Sequence, residues 1–159
     1  MTARRLSDNE ELEAVTITSR DVFRFRYNKM LEEMKPSPTT YEQIYLTHYE
    51  QAQTDFGHYF RNLYRMIKLV DETEFLIKTG ENRDKELFKL KYKYTSIIRA
   101  QLSDYELLWL FYNCLSENGV DKFKPYVERY SLLKNMPHDK LADIGHVKLY
   151  EKRAIDPDA

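Results

Sequence analysis

A helical pattern without proline extends from Tyr41 to Ile77 and contains a single glycine, Gly57. Its apolar residues recur at alternating steps of four and three, most regularly over Phe56, Phe60, Leu63, Ile67 and Val70. This is the heptad spacing of helices that pack along a seam, so it predicts one long amphipathic helix. Gly57 marks a position for a kink or a close helix crossing.

Further helical patterns lie on both sides of the long one. They cover residues 19–34, which Pro36 and Pro38 bring to an end, then 84–102, 104–116 and 122–133, with one short helix near 139–144. Gly80 is the predicted C-terminal cap of the long helix. The sequence therefore predicts an all-α bundle of four to five main helices. We expect a polar N-terminal tail (1–18), a single helical domain (19–144) and a C-terminal tail (145–159).

The fourth pattern begins with a capping box and is apolar on every side. Ser103 and Glu106 have the spacing in which each side chain bonds the backbone N–H of the other residue. Leu107, Trp109 and Phe111 belong to the apolar run that follows. A helix that is apolar all round occupies the centre of a bundle.

The overall charge balance limits the function classes. The chain has 25 Lys and Arg against 26 Asp and Glu, a formal net charge of −1, which argues against an electrostatic nucleic-acid binder spanning the whole chain. One cysteine, Cys114, excludes an intrachain disulfide and fits a reducing compartment. With no stretch of 18 apolar residues, we expect a cytoplasmic protein, with membrane attachment only if a native upstream segment is missing.

Metal and cofactor signatures are absent from the sequence. His48, Asp55 and His58 share one helix face, but about 15 Å separates the two histidines at 1.5 Å per residue, too far for one ion. No glycine-rich phosphate loop, zinc-protease motif or nucleophile elbow occurs. We expect neither a metal nor a cofactor.

A cationic face is the main candidate for chemistry. His58, Arg61 and Arg65 lie on one face of the long helix, and residues 56–70 contain no acid. If the next helix is antiparallel, Arg99 and Gln101 would approach His58 and Arg61. Arginine binds phosphate or carboxylate with two donors, and histidine transfers protons near neutral pH. Three interpretations stay open: internal ion pairing, binding of an anion or RNA, and metal-independent RNA cleavage.

Three segments resemble the phage abortive infection proteins of the AbiC-like family. They are DFGHYFRNLYRMIK (residues 55–68), YTSIIRAQLSDYELLWLFYN (94–113) and KFKPYVERYSLLKNM (122–136). The resemblance covers roughly residues 45–136. It implies bacterial antiviral defence, in which an infected cell stops supporting the phage, but no particular reaction.

The resemblance also implies motif residues. They include His58, Arg61, Arg99, Gln101, Ser103, Glu106 and Asn113. The predicted function is a helical sensor or effector that binds a protein partner or a phage-derived trigger. The alternatives are a metal-independent ribonuclease built on His58, Arg61 and Arg99, and a structural module that forms homodimers through the Phe56–Val70 seam. The sequence leaves open whether the protein is an enzyme.

Overall fold

A computed structural model describes residues 21–77, 80 and 82–159, so the predicted tail (1–18) and the first two residues of the helix predicted over 19–34 lie outside it. Five α-helices form the framework of the described residues. The helices are α1 (Asp21–Met34), α2 (Tyr41–Glu72), α3 (Arg83–Arg99), α4 (Asp104–Leu115) and α5 (Lys124–Arg129). No β-strand occurs among the described residues, and the prediction of an all-α helical bundle is confirmed.

Helix α4 forms the centre of the bundle, as its sequence predicts. Every residue from Glu106 to Leu115 is buried. The indole N–H of Trp109 donates a hydrogen bond to the carbonyl oxygen of Phe23 at 3.0 Å, so α1 is tied to the core. The Phe23 ring stacks on Phe56 with centroids 4.4 Å apart, which extends the core from α1 into α2.

Helices α2 and α3 pack in antiparallel directions, the arrangement on which the predicted cationic cluster depended. The Lys91 ammonium donates to the carbonyl oxygen of Asp71 near the end of α2. Lys91 lies in the middle of α3, whereas Ile98 near its C-terminal end and Gln101 just after it line a cavity together with residues from the middle of α2.

The heptad seam of α2 faces the protein's own core. Phe56, Phe60, Leu63 and Ile67 are all buried, and only Val70 is partly exposed. A seam that is covered within one chain at four of its five positions leaves little apolar surface for a second copy. The structure therefore gives no support to the dimerisation module expected to use this seam.

Helix α2 ends earlier than predicted. It runs past Gly57 as one helix and ends at Glu72, before the predicted Ile77. Thr73 leaves the helix in an extended conformation, and Phe75 then stacks on Tyr94 of α3 at 5.3 Å. Gly80 accepts the Arg83 N–H at the start of α3, so it does not cap α2.

Helix α5 is shorter than predicted because its backbone turns sharply after Arg129. Ser131 has a φ of 51°, in the left-handed region that side chains rarely adopt. A residue in that conformation ends a right-handed helix. The predicted helix over 122–133 is therefore limited to Lys124–Arg129.

The C-terminal segment (residues 137–155) is a series of short 3₁₀ turns at His138–Lys140, Ile144–Leu149 and Lys152–Ala154. Tyr150 and Ala154, expected to lie in a tail, are buried in the core. The Tyr150 hydroxyl donates to the Phe111 carbonyl oxygen at 2.6 Å, and the Ala142 N–H donates to the Tyr112 hydroxyl at 3.1 Å. This segment covers one side of α4. The single short helix predicted near 139–144 was wrong: its place is taken by the turns at His138–Lys140 and Ile144–Leu149. Short 3₁₀ turns have no long periodicity from which the sequence could indicate them.

Membrane crossing needs a helix of about 20 mainly apolar residues. Among residues 21–77, 80 and 82–159, no helix is both long enough and apolar enough.

Candidate functional site

The predicted cationic cluster is divided among separate parts of the structure. Arg99 donates from Nη1 to the carbonyl oxygen of Ser131 at 2.9 Å and lies near the Tyr92 hydroxyl at 3.3 Å. Gln101 lines an apolar cavity, whereas Arg61 lines a different, polar one. His58 and Arg65 are exposed on the α2 surface and line neither cavity.

The polar cavity brings together two residues predicted as binding residues, Arg61 and Asn113. It has a volume of about 380 Å³ and lies between the middle of α2, the end of α4 and the loop before α5. Its lining consists of aromatic rings, amides and two cations: Tyr49, Gln53, Gly57, Phe60, Arg61, Tyr64, Asn113, Asn118, Lys122 and Phe123. We take this polar cavity as the candidate functional site.

The charge of the polar cavity is positive. Arg61 and Lys122 are its charged lining residues, and no carboxylate of the described residues lines it. Within the described part of the chain, neither cation forms an ion pair, in contrast to Arg26, which binds Asp55 at 3.1 Å, and Arg129, which binds Asp71 at 2.8 Å. Two cations without a protein carboxylate are available to an external anion.

Gly57 lines the polar cavity close to Tyr49 and Gln53. A Cβ atom built at Gly57 would lie 3.8 Å from the Tyr49 hydroxyl and 3.6 Å from Gln53, both ordinary contacts. Packing therefore does not require a glycine here, although glycine inside a helix costs about 0.5–1 kcal/mol relative to alanine. Burial raises the pKa of Tyr49, and the nearby Arg61 charge opposes that rise, so the hydroxyl stays protonated near neutral pH.

Asn113 is fixed in place at the inner wall of the polar cavity. Its Nδ2 donates to the Tyr45 hydroxyl at 2.8 Å, and the side chain is buried. Gly119 crosses very close to it, since a Cβ there would lie 2.7 Å from Asn113 Oδ1 and 2.8 Å from its backbone oxygen. The sharp turn after α4 therefore requires Gly119 and brings Asn118 and Lys122 to the polar cavity.

The apolar cavity lies between α2, α3 and the start of α4. It has a volume of about 390 Å³, and Met66 and Ile97 expose 47% and 55% of their surface beside it. Gln101 and Glu106 are among its few polar lining residues. Because its lining is mainly apolar, this cavity does not suit an anion.

Ser103 and Glu106 form a capping box at the start of α4. The Ser103 N–H donates to Glu106 Oε2 at 2.6 Å, and the Glu106 N–H donates to Ser103 Oγ at 3.4 Å. Both side chains are thus engaged with the backbone at the start of the helix. Ser103 and Glu106, which lie in the family-like segment 94–113, therefore have a structural role.

His48 and Asp55, two of the three residues considered for a metal site, make other contacts. His48 is buried, with Nε2 3.1 Å from Glu33 Oε2, and Asp55 accepts the Arg26 hydrogen bond. Within the described ranges, no group of three or more His, Cys, Asp or Glu side chains is arranged to hold a metal ion. Cys114 is fully buried, and burial holds the pKa of its thiol far above the ordinary range.

Sequence reasoning singled out Arg61 and Asn113 and missed most of the other residues that line the polar cavity. Tyr49, Gln53, Gly57, Arg61 and Tyr64 lie on one face of α2, a pattern that helical spacing alone could have revealed. Asn118 and Lys122 come from the loop after α4. Their approach to α2 depends on the turn at Gly119 and carries no local signal.

Comparison with known proteins identifies the family. The profile of the family described as "Putative phage abortive infection protein" matches residues 51–141, more than half of the chain. The chain belongs to this family. No curated protein matches the chain, and neither does any solved structure.

The match to the abortive infection family confirms the resemblance seen in the sequence. It includes both cations and all three amides of the polar cavity, with Tyr49 just outside it. Helix α1 and residues 142–155 lie outside the matched stretch, although both pack against α4.

Proposed function

We propose that this protein is a bacterial, cytoplasmic module of abortive infection that recognises a phage-derived or host partner through an anionic group bound in the polar cavity. Membership of the abortive infection family supports the defence role. The recognition step is the part that we derive from the site.

The observation that carries the proposal is the pair of cations, Arg61 and Lys122, in a cavity lined by no carboxylate from the part of the chain that the structure describes. Arginine offers a planar fork of donors to phosphate or carboxylate, and lysine adds a compact second charge. The amides of Gln53 on α2 and Asn118 in the loop after α4 add neutral donors to the lining. An anionic group on a partner would satisfy all of them together.

The ribonuclease alternative receives less support. It needs His58, Arg61 and Arg99 around one scissile phosphate, because a proton-transfer group must lie within hydrogen-bond reach of the reacting atoms. Arg99 instead donates to the Ser131 carbonyl oxygen, and His58 lies outside the polar cavity. We therefore favour recognition over RNA cleavage.

The test pairs phage protection with thermal stability. Arg61→Ala and Lys122→Ala should raise plaque counts on cells producing the variant while leaving the melting temperature of the purified protein nearly unchanged, because both side chains are exposed. Arg61→Lys keeps the charge but loses the planar fork, so we expect partial protection.

Arg65→Ala is the matched control. It removes the same charge from an exposed position one turn further along α2, outside the polar cavity. Full protection by Arg61→Ala and Lys122→Ala, or equal loss of protection in Arg65→Ala, would rule out recognition at this cavity.

A further inference from the structure

We propose that the polar cavity binds a single nucleotide, with its phosphate at Arg61 and Lys122 and its base among the aromatic and amide side chains. This inference rests on the proposed function, because it names the ligand class of the same cavity. The evidence is the set of aromatic and amide lining residues, which an inorganic anion held at Arg61 and Lys122 would not need.

Aromatic rings form a large part of the polar cavity. Tyr49 and Tyr64 are partly exposed, whereas Phe60 and Phe123 are buried behind them. The Tyr64 ring is held edge-on against Phe123 at 5.5 Å and lies 5.9 Å from Tyr126, so its position is fixed before any ligand arrives. Nucleic-acid bases stack on such rings, whereas an inorganic anion gains nothing from them.

Amides supply the polar groups that a base edge needs. Gln53, Asn113 and Asn118 line the polar cavity, and each offers both a donor and an acceptor. The Asn113 amide is oriented by its bond to Tyr45. A buried amide in a fixed orientation can distinguish one pattern of base donors and acceptors from another.

The size of the polar cavity limits the ligand to one nucleotide unit. Its volume of about 380 Å³ is near the lower end of the range for small-molecule sites, about 300–1,000 Å³. Only two of its lining residues are cationic, whereas a groove for a nucleic-acid strand follows the backbone with many positive charges. Gly57, which has no side chain, is also among the lining residues.

The experiment is calorimetric titration of the full chain with ADP, GDP, CDP and UDP. The reference ligands are the four nucleosides, inorganic pyrophosphate and a single-stranded RNA of eight nucleotides. We expect at least one nucleoside diphosphate to bind at least tenfold more tightly than pyrophosphate and than its own nucleoside. The RNA should bind no more tightly than that diphosphate.

Two variants separate the phosphate end from the base end. Arg61→Ala should weaken both the diphosphate and pyrophosphate at least tenfold. Tyr64→Leu should weaken the diphosphate at least fivefold and leave pyrophosphate unchanged. Because Tyr64 also packs in the core, Gln53→Leu at an exposed position provides a second base-end variant, with the same expected selectivity.

The outcomes distinguish this inference from the proposed function. Pyrophosphate binding as tightly as every diphosphate, with loss in Arg61→Ala, would overturn nucleotide recognition and leave anion recognition standing. RNA binding more than tenfold tighter than the best diphosphate would overturn the single-nucleotide inference. No binding of any probe would overturn it too, and full phage protection by Arg61→Ala would then remove the proposed function as well.

Discussion

Arg99 and Ser131 hold each other in place across the junction between α3 and the loop after α5. The guanidinium Nη1 lies 2.9 Å from the Ser131 carbonyl oxygen, and Ser131 itself has a φ of 51°. A side chain in the left-handed region costs about 1–2 kcal/mol, so the surrounding contacts must hold the turn. Arg99, expected from the sequence to bind a ligand, contributes to the packing of the fold.

Arg99→Met should lower the free energy of unfolding by about 1.5–3 kcal/mol, because methionine keeps much of the aliphatic stem but leaves the Ser131 carbonyl without its charged donor. Urea denaturation measures this directly. Arg65→Met is the control, since Arg65 is exposed and should change the free energy of unfolding by no more than about 0.5 kcal/mol. Equal, small effects in both variants would contradict the role of Arg99.

Substituting alanine at Gly57 and at Gly119 should change the free energy of unfolding in opposite directions. Gly57→Ala should raise the free energy of unfolding by about 0.5–1 kcal/mol, because its new Cβ makes only ordinary contacts inside a helix. Gly119→Ala should lower it by about 1–3 kcal/mol, because its Cβ would overlap Asn113. Thermal or urea denaturation of the pair provides its own control, and the same sign in both would refute this account.

Ser103→Ala should destabilise the protein by about 0.5–2 kcal/mol, the usual cost of losing a helix cap. Ser96→Ala is a matched control, because the Ser96 hydroxyl lies within α3 and donates to its own helix at Lys93. We expect little change in that variant. If the two serine variants unfold at the same urea concentration, the capping box at α4 contributes nothing to stability.

Asp71 should make stability depend on acid pH. Burial acts to raise the pKa of Asp71, but hydrogen bonds from Tyr130 and Arg129 outweigh it and lower the pKa below the ordinary 3.8. A lowered pKa stabilises the folded state above that value, and the contribution is lost as pH falls below it. The wild type should therefore exceed Asp71→Asn in free energy of unfolding at neutral pH.

The difference between the wild type and Asp71→Asn should shrink as the carboxylate is protonated. Urea denaturation at about pH 6 and at about pH 3 measures it at both ends of this range. Asp55→Asn is the control, because Asp55 pairs with Arg26 at a more exposed site. A difference that stays constant with pH would show that the Asp71 charge has no part in stability.

The sequence predicted the framework of the fold because that framework is local. The capping box at Ser103 and the apolar run through Trp109 specify α4 within a few residues, and heptad spacing specifies the buried face of α2. The predictions for short segments were wrong where tertiary contacts determine the backbone conformation. The chain leaves α2 before Phe75, whose ring stacks on Tyr94. The left-handed backbone at Ser131 stops α5 from continuing.

The candidate site was predicted only in part, because tertiary contacts also determine which side chains line it. Arg61 was selected from its helix face, and Asn113 from the family resemblance, and both line the polar cavity. The direction of the Arg99 side chain depends on a turn that lies 32 positions further along the chain, which helical spacing does not encode. Lys122 reaches the polar cavity only because the chain turns at Gly119.

The C-terminal segment has a consequence for how the protein is made. The Phe111 carbonyl oxygen and the Tyr112 hydroxyl of the central helix receive their partners from Tyr150 and Ala142, which the ribosome adds about thirty to forty residues later. Until those residues leave the exit tunnel, one side of α4 stays open to solvent. Packing around α4 is therefore completed only after these residues have been synthesised. A truncated message that ends before Tyr150 would yield a product with an uncovered apolar helix, which chaperones would bind and proteases would cleave.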